Sequence, residues 1–211
     1  MARRPDLVGL TVLAMLSVRP GHPYELHRFI VQTHKDYVTG LPRSLYHAVD
    51  KLAGEELIVP VETSREGRRP ERTIYEITDE GRHELATRLR ALLENPGGER
   101  RVFTAAVSLI GVLPVPDALQ SLRTRQAALE GNVAGLNGHL KTLRDSGLPD
   151  VLAIELDYER ALDRDRAGLD QAAHHPLGVG RTRLVGHLQP RPAGKRARRI
   201  MRTGCQGAPT P

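Results

Sequence analysis

Nine residues in two short stretches have the types and spacing to grip a polyanion or the edges of bases: Arg43, Ser44, Tyr46, His47, Lys51, Arg65, Arg68, Arg69 and Arg72. Indexed at 100° per residue, the first stretch puts Arg43, His47, Asp50, Lys51 and Gly54 on one face, flanked by Ser44 and Tyr46. An arginine fork matches the acceptor pair of guanine, and Ser, His and Lys reach phosphate oxygens or base edges. Tyr46 reads equally as half-buried support or as a phosphate contact through its hydroxyl. Asp50 either accepts from a cytosine amine or pairs with Arg43 or Lys51. In the second stretch four arginines fall within eight residues around Gly67, set against Glu66 and Glu71 and stiffened by Pro70. That density exceeds what a solubilising tip requires, and it suits phosphate contact.

The elements that must hold these residues follow from periodicity. Opposite the polar face of the first stretch lie Leu45, Val49 and Leu52, with Ala48 and Ala53 beside them, so this is an amphipathic helix with one side for a core. Ile58, Val59 and Val61, then Ile74, Tyr75 and Ile77, predict two strands joined by the arginine-rich tip. A helix followed by a basic hairpin is the layout of a winged helix-turn-helix, with one helix for the major groove and a wing for the backbone. Upstream, an apolar helix over 6–18 reads as buried on most sides, and Pro20, Gly21 and Pro23 punctuate it. A second helix over 24–33 turns Leu26, Phe29 and Ile30 inward, and His22 and Tyr24 at its start suit either DNA or a structural role. Thr78 is placed to cap a fourth helix whose apolar face is Leu85, Leu89, Leu92 and Leu93, and Asn95 to Gly98 end the domain.

The run SLYHAVDKLAGEELI resembles the recognition-helix signature of the PadR family of winged-helix transcriptional regulators. GHPYEL at Gly21–Leu26, EGRRPERTIYEIT at Glu66–Thr78 and DEGR at Asp79–Arg82 occupy the family's other marked positions, and the match runs ungapped from about Leu7 to Leu93. After Ala105 the chain resembles the helical C-terminal domain that accompanies it. The resemblance implies a homodimer on a two-fold operator, repression by occluding a promoter, and release by a small-molecule effector or another signal. Two departures carry expectations. Glu56 stands where the family has the glycine that ends the recognition helix, so that helix is expected to lack a left-handed cap. The aromatic-poor C-terminal half argues against an aromatic-stacking ligand pocket between subunits.

Composition narrows the classes. The chain of 211 residues has a net charge of +6 and no run of about 18 apolar residues that could span a membrane. Its one cysteine, Cys205, leaves no disulfide framework and no cysteine metal site, and the chain reads as cytoplasmic. The charge is unevenly spread. Residues 1–96 carry 14 basic and 14 acidic side chains, residues 97–175 carry 9 and 11, and residues 176–211 carry 8 and none. DNA affinity of the folded part must therefore rest on local placement of arginines. The basic tail, including Lys195, Arg196, Arg198, Arg199 and Arg202, reads as disordered; auxiliary DNA attraction, binding to anionic lipid and no role at all are open to it, and the lack of an apolar anchor counts against the lipid.

Beyond a short apolar helix over 102–110, Leu119, Leu122, Gln126, Leu129, Val133, Leu136, Leu140 and Leu143 are spaced 3,4,3,4,3,4,3, a heptad seam. Gly131, Gly135 and Gly138 lie off the seam, where they either permit close backbone approach or serve no purpose. A last helix starts at Pro149. Its Asp157, Glu159, Asp163 and Asp165 interleave with Arg160, Arg164 and Arg166 as a solvent face, and His174 and His175 lack a partner at metal-ligand spacing. No phosphate loop, nucleophile elbow or HExxH appears, so no cofactor, metal or catalytic residue is expected.

The expected fold is mainly α with a small β-wing: a winged helix-turn-helix domain at 1–96, a helical dimerisation domain at 97–175 and the basic tail at 176–211. The expected function is sequence-specific binding of double-stranded DNA by a homodimer joined through Leu122, Leu129, Val133, Leu136 and Leu140. The alternative is a winged-helix protein-interaction module without specific DNA binding. A small helical enzyme using the C-terminal acids and histidines has no supporting constellation.

Overall fold

The computed structural model describes residues 5–35, 37–38, 40–64 and 72–178. The wing tip, with Arg65, Arg68 and Arg69, and nearly all of the basic tail lie outside the described residues. Among the described residues, seven helices and one hairpin follow the order α1 (Leu7–Leu16), α2 (Pro23–Gln32), α3 (Arg43–Gly54), β1 (Ile58–Ser64), β2 (Arg72–Ile77), α4 (Asp79–Glu94), α5 (Arg100–Leu109), α6 (Val115–Asp145) and α7 (Ile154–Gly178). Short 3₁₀ turns precede α6 and α7.

Three helix starts are capped by their own sequence. The Asp6 carboxylate accepts from the Gly9 N–H (2.8 Å), the His22 imidazole from the Tyr24 N–H (3.1 Å), and the Thr78 hydroxyl from the Gly81 N–H (3.0 Å). As its composition predicts, α1 is buried nearly all round, from Gly9 to Ala14 and again at Leu16. Its one polar buried side chain, Thr11, donates to the Leu7 carbonyl (2.7 Å), so no hydroxyl is left unsatisfied. Around α1 pack α3, α4, α5 and β2.

The strands pair antiparallel, Ile58 with Ile77 and Pro60 with Tyr75, and a bulge between Pro60 and Glu62 shifts the register. Proline has no N–H for the ladder, so a bulge beside Pro60 is where such a residue fits. The outer edge of β2 is also used: Gly21 exchanges both backbone hydrogen bonds with Tyr75 (3.0 and 3.1 Å). Ile58 and Ile77 are buried, whereas Val59 and Val61 stand exposed on the wing.

In the C-terminal half α6 and α7 form an antiparallel hairpin, cross-linked by Asn132–Asp163 (3.3 Å), Asn137–Arg160 (3.1 Å) and Arg144–Asp157 (3.9 Å). The polar face of α7 is salt-bridged as its charge pattern predicts, with Arg160–Asp157 at 2.7 Å and Arg166–Asp163 at 3.1 Å. Of the heptad seam, Leu122, Leu129 and Leu140 are buried within the single chain, and Val133 and Leu136 are half-buried. A Cβ at Gly131, Gly135 or Gly138 would meet nothing within 4 Å, so these glycines permit no close approach within the chain. Four large apolar residues remain open at the turn into α7: Val151, Leu152, Ile154 and Tyr158, each 60–70 % exposed.

Candidate nucleic-acid interface

The amphipathic division of α3 follows its sequence. Leu45, Ala48, Val49 and Leu52 are buried against the core, and Arg43, Tyr46, His47 and Asp50 form an exposed stripe on the other side. Burial of one face by four apolar side chains fixes the rotation of the helix, and so fixes which side chains reach outward. Ser44 is half-buried at the edge of the stripe. Tyr46 is 44 % exposed, which leaves its hydroxyl end in solvent. Asp50 makes no ion pair with Arg43 or Lys51 among the described residues, so the pairing considered for it is not formed.

Lys51 is turned to a different task. Its ammonium lies 3.1 Å from the Asp6 carboxylate at the cap of α1 and 3.8 Å from Glu55 one turn on, and Arg88 of α4 reaches Glu55 at 3.9 Å. This chain of charges ties α3 to α1 and α4. Burial pushes the Asp6 carboxyl up, but the Gly9 N–H, the hydrogen bond and charge of Lys51 and the charge of Arg88 together hold it below the usual carboxylate range. The half-buried Lys51 thus serves first to seat the helix. Two sequence signals pointed there: an aspartate three residues before Gly9 at a helix start, and a lysine four residues before Glu55.

The end of α3 corrects an expectation. Glu56 itself takes the left-handed conformation, at φ 58°. The Leu57 N–H returns to the Leu52 carbonyl (3.0 Å) and the Glu56 N–H to the Ala53 carbonyl (3.1 Å), the paired bonds of a Schellman cap. Leu52 and Leu57 are both buried, which supplies the apolar contact that accompanies the motif. Two recovered hydrogen bonds and that contact outweigh a left-handed penalty of about 1 kcal/mol for a residue with a side chain. The Thr78 hydroxyl joins this turn to α4, within 3.0 Å of the Glu56 carbonyl and 3.1 Å of the Leu57 carbonyl. Gly81 packs directly beneath, so the turn from α3 into β1, the start of α4 and the root of the wing share one tight joint.

Of the wing residues, Arg72 opens β2 opposite Ser64, and Arg65, Arg68 and Arg69 lie outside the described residues. Val59 and Val61 flank the tip with exposed apolar surface. His22 is held as the cap of α2, and Tyr24 beside it is 59 % exposed. Among the described residues no group of three or more His, Cys, Asp or Glu could hold a metal ion, and no helix is long and apolar enough to cross a membrane.

A buried cation escaped the sequence reading. Arg125, on α6, is 3 % exposed; it donates to the Asn95 carbonyl at the end of α4 and lies 3.9 Å over the ring of Phe103 on α5. A basic residue beside a heptad seam was its one sequence signal, and charged residues flank every such seam.

Residues 12–87 match the model of the Transcriptional regulator PadR-like family. Among solved structures, the chain is similar to Bacillus subtilis PadR in complex with operator DNA, at 17 % identity over 84 % of this chain and 99 % of that one, with a TM-score of 0.40. It is also similar to smu.1604c from Streptococcus mutans, at 23 % identity over 78 % and 96 % with a TM-score of 0.37. TA0346 from Thermoplasma acidophilum is 29 % identical over 38 % of this chain and 73 % of that one, with a TM-score of 0.34. No curated protein matches the chain.

Proposed function

We propose that this PadR-like transcriptional regulator binds double-stranded operator DNA as a homodimer, with α3 as the recognition helix and the β1–β2 wing on the backbone. One observation carries the reading: α3 buries an apolar face completely in the core of a PadR-like domain while Arg43, Tyr46 and His47 stand exposed on the other side. Arg43 and His47 are one helical turn apart, the spacing that lets two side chains reach neighbouring base edges in one groove. Lys51 seats the helix through Asp6, and the arginines of the wing supply sequence-independent attraction to phosphate. The protein acts by binding rather than by catalysis, in the cytoplasm, and represses by covering a promoter.

The division into a reading domain at 1–96, a dimerising domain at 97–175 and a basic tail at 176–211 belongs to the same proposal. Self-association uses the α6–α7 hairpin. Much of the heptad seam is already closed by the same chain, so the partner covers the half-buried Val133 and Leu136 together with Val151, Leu152, Ile154 and Tyr158. An effector that prefers a dimer with misplaced recognition helices would lower operator affinity by linkage. The experiment is selection of duplexes from a random pool by the full chain, followed by titration of the selected and scrambled sequences at fixed salt. Recovery of an inverted repeat bound well above scrambled DNA supports the reading. Failure to enrich any sequence returns the chain to the alternative of a protein-interaction module.

A further inference from the structure

Three successive turns of α6 grip α4 through polar side chains. Asp117 accepts from Arg90 (2.6 Å), Ser121 donates to Glu94 (2.8 Å), and Arg125 donates to the Asn95 carbonyl. Asp117, Ser121 and Arg125 are each four residues apart, so they form one row along the helix. Asn95 ends α4, where carbonyls have no partner within the helix, and Arg125 supplies a donor there from another element. Its guanidinium also stacks on Phe103 of α5, so one buried cation touches the end of the reading domain and both helices that follow.

Apolar packing is non-directional and lets helices slide, whereas hydrogen bonds weaken steeply off line. A buried charge is also costly unless its partners stay in place. The row therefore fixes the angle at which the α6–α7 hairpin leaves the winged domain. In a two-fold dimer joined through that hairpin, this angle sets the distance between the two recognition helices.

We propose that Arg125, supported by Ser121 and Asp117, is a positioning residue that sets the half-site spacing this protein accepts. The inference rests on the dimeric DNA-binding reading. Arg125→Met keeps an unbranched apolar stem in the buried position but removes the guanidinium, and with it every side-chain donor and the stacking on Phe103. The probes are duplexes carrying two inverted copies of the wild-type-selected half-site, with centre-to-centre separations stepped one base pair at a time around one helical turn, about 10 base pairs. A rigid junction binds one separation tightly and loses about tenfold when the sites are rotated out of reach, because simultaneous engagement fails. Arg125→Met should flatten that profile to within about threefold across the series. Its affinity for a single half-site and its dimerisation should stay at wild-type values, and Arg125→Lys should restore part of the optimum.

A variant that keeps the sharp wild-type optimum overturns the role of Arg125 while leaving the dimeric reading intact. A wild-type chain that shows no optimum overturns the dimeric reading itself. If Arg125→Met fails to fold, Asp117→Asn with Ser121→Ala carries the test. Asp117, half-buried at one end of the row, and Ser121, buried in its middle, should on substitution broaden the profile in the same direction, and an unchanged profile would overturn the proposal.

Discussion

Gly81 is the third residue of α4, and its N–H is satisfied by the Thr78 hydroxyl. A Cβ at this position would overlap the Leu57 carbonyl oxygen and sit 2.8 Å from the Ile77 side chain. The Leu57 carbonyl is backbone, held by the Thr78 N–H and the Thr78 hydroxyl, both at 3.1 Å. It cannot rotate away as a side-chain end would, so Gly81→Ala must push the root of the wing off α4. Overpacking of this kind costs about 1–3 kcal/mol, and the upper end applies to a backbone neighbour. Loosening the two bonds to Leu57 adds about 1 kcal/mol, and the better helix propensity of alanine returns about 1 kcal/mol. The net loss is about 3 kcal/mol, or about 6–12 °C in Tm for a chain of this size. Circular dichroism melts of Gly81→Ala and Gly54→Ala read this directly. A Cβ at Gly54, the last residue of α3, meets nothing within 4 Å, so the same substitution there should cost nothing and stabilise by at most about 0.5 kcal/mol. Equal Tm changes at the two positions would refute the steric argument.

Three further outcomes follow from the same contacts. Glu56→Gly should raise stability by about 0.5 kcal/mol, since it relieves the left-handed penalty and returns part of it as unfolded-chain entropy; a loss on chemical denaturation would mean that the glutamate side chain holds the cap. Asp6 has a folded pKa below its unfolded value, so its stabilisation is whole above about pH 4 and fades as pH falls through the folded pKa. Asp6→Asn keeps a capping oxygen but loses the charge, so its Tm deficit should be constant near neutrality and shrink in acid; a pH-independent deficit would contradict the ion-pair account. Ile154→Asp, at a side chain 65 % exposed in the single chain, should leave each subunit folded and yield monomers in sedimentation, and an unaltered dimer would move the interface elsewhere.

The two faces of α3 were legible because a single period of 3.6 sorts Leu45, Val49 and Leu52 from Arg43 and His47, and burial follows that sorting. The caps at Thr78 and Asp6 are local patterns as well, each a side-chain oxygen three residues before the N–H it accepts from. Other features depend on residues distant in sequence. At Glu56 the residue type alone disfavours a left-handed cap, whereas the bonds from Leu57 to Leu52 and from Thr78 to the turn decide the conformation. Lys51 looked like one more cation on a DNA face until folding brought Asp6 beside it. The heptad seam foretold a packed helix, but a repeat cannot say whether its cover is the same chain or a second one. Here α7 and α4 take much of it. Arg125 was invisible for the same reason, its partners being a ring and a backbone carbonyl on other elements.

The central claim is that α3 reads sequence while the wing arginines supply attraction. It is tested most directly by measuring the affinities of Arg43→Ala, His47→Ala, Arg68→Ala and Arg69→Ala for the selected operator and for random DNA, side by side at one salt concentration. The helix variants should narrow the gap between operator and random DNA by about 1–3 kcal/mol, because a base contact is lost. The wing variants should weaken both DNAs alike, because phosphate contacts carry no sequence information. Equal losses on both DNAs for all four variants would contradict the account.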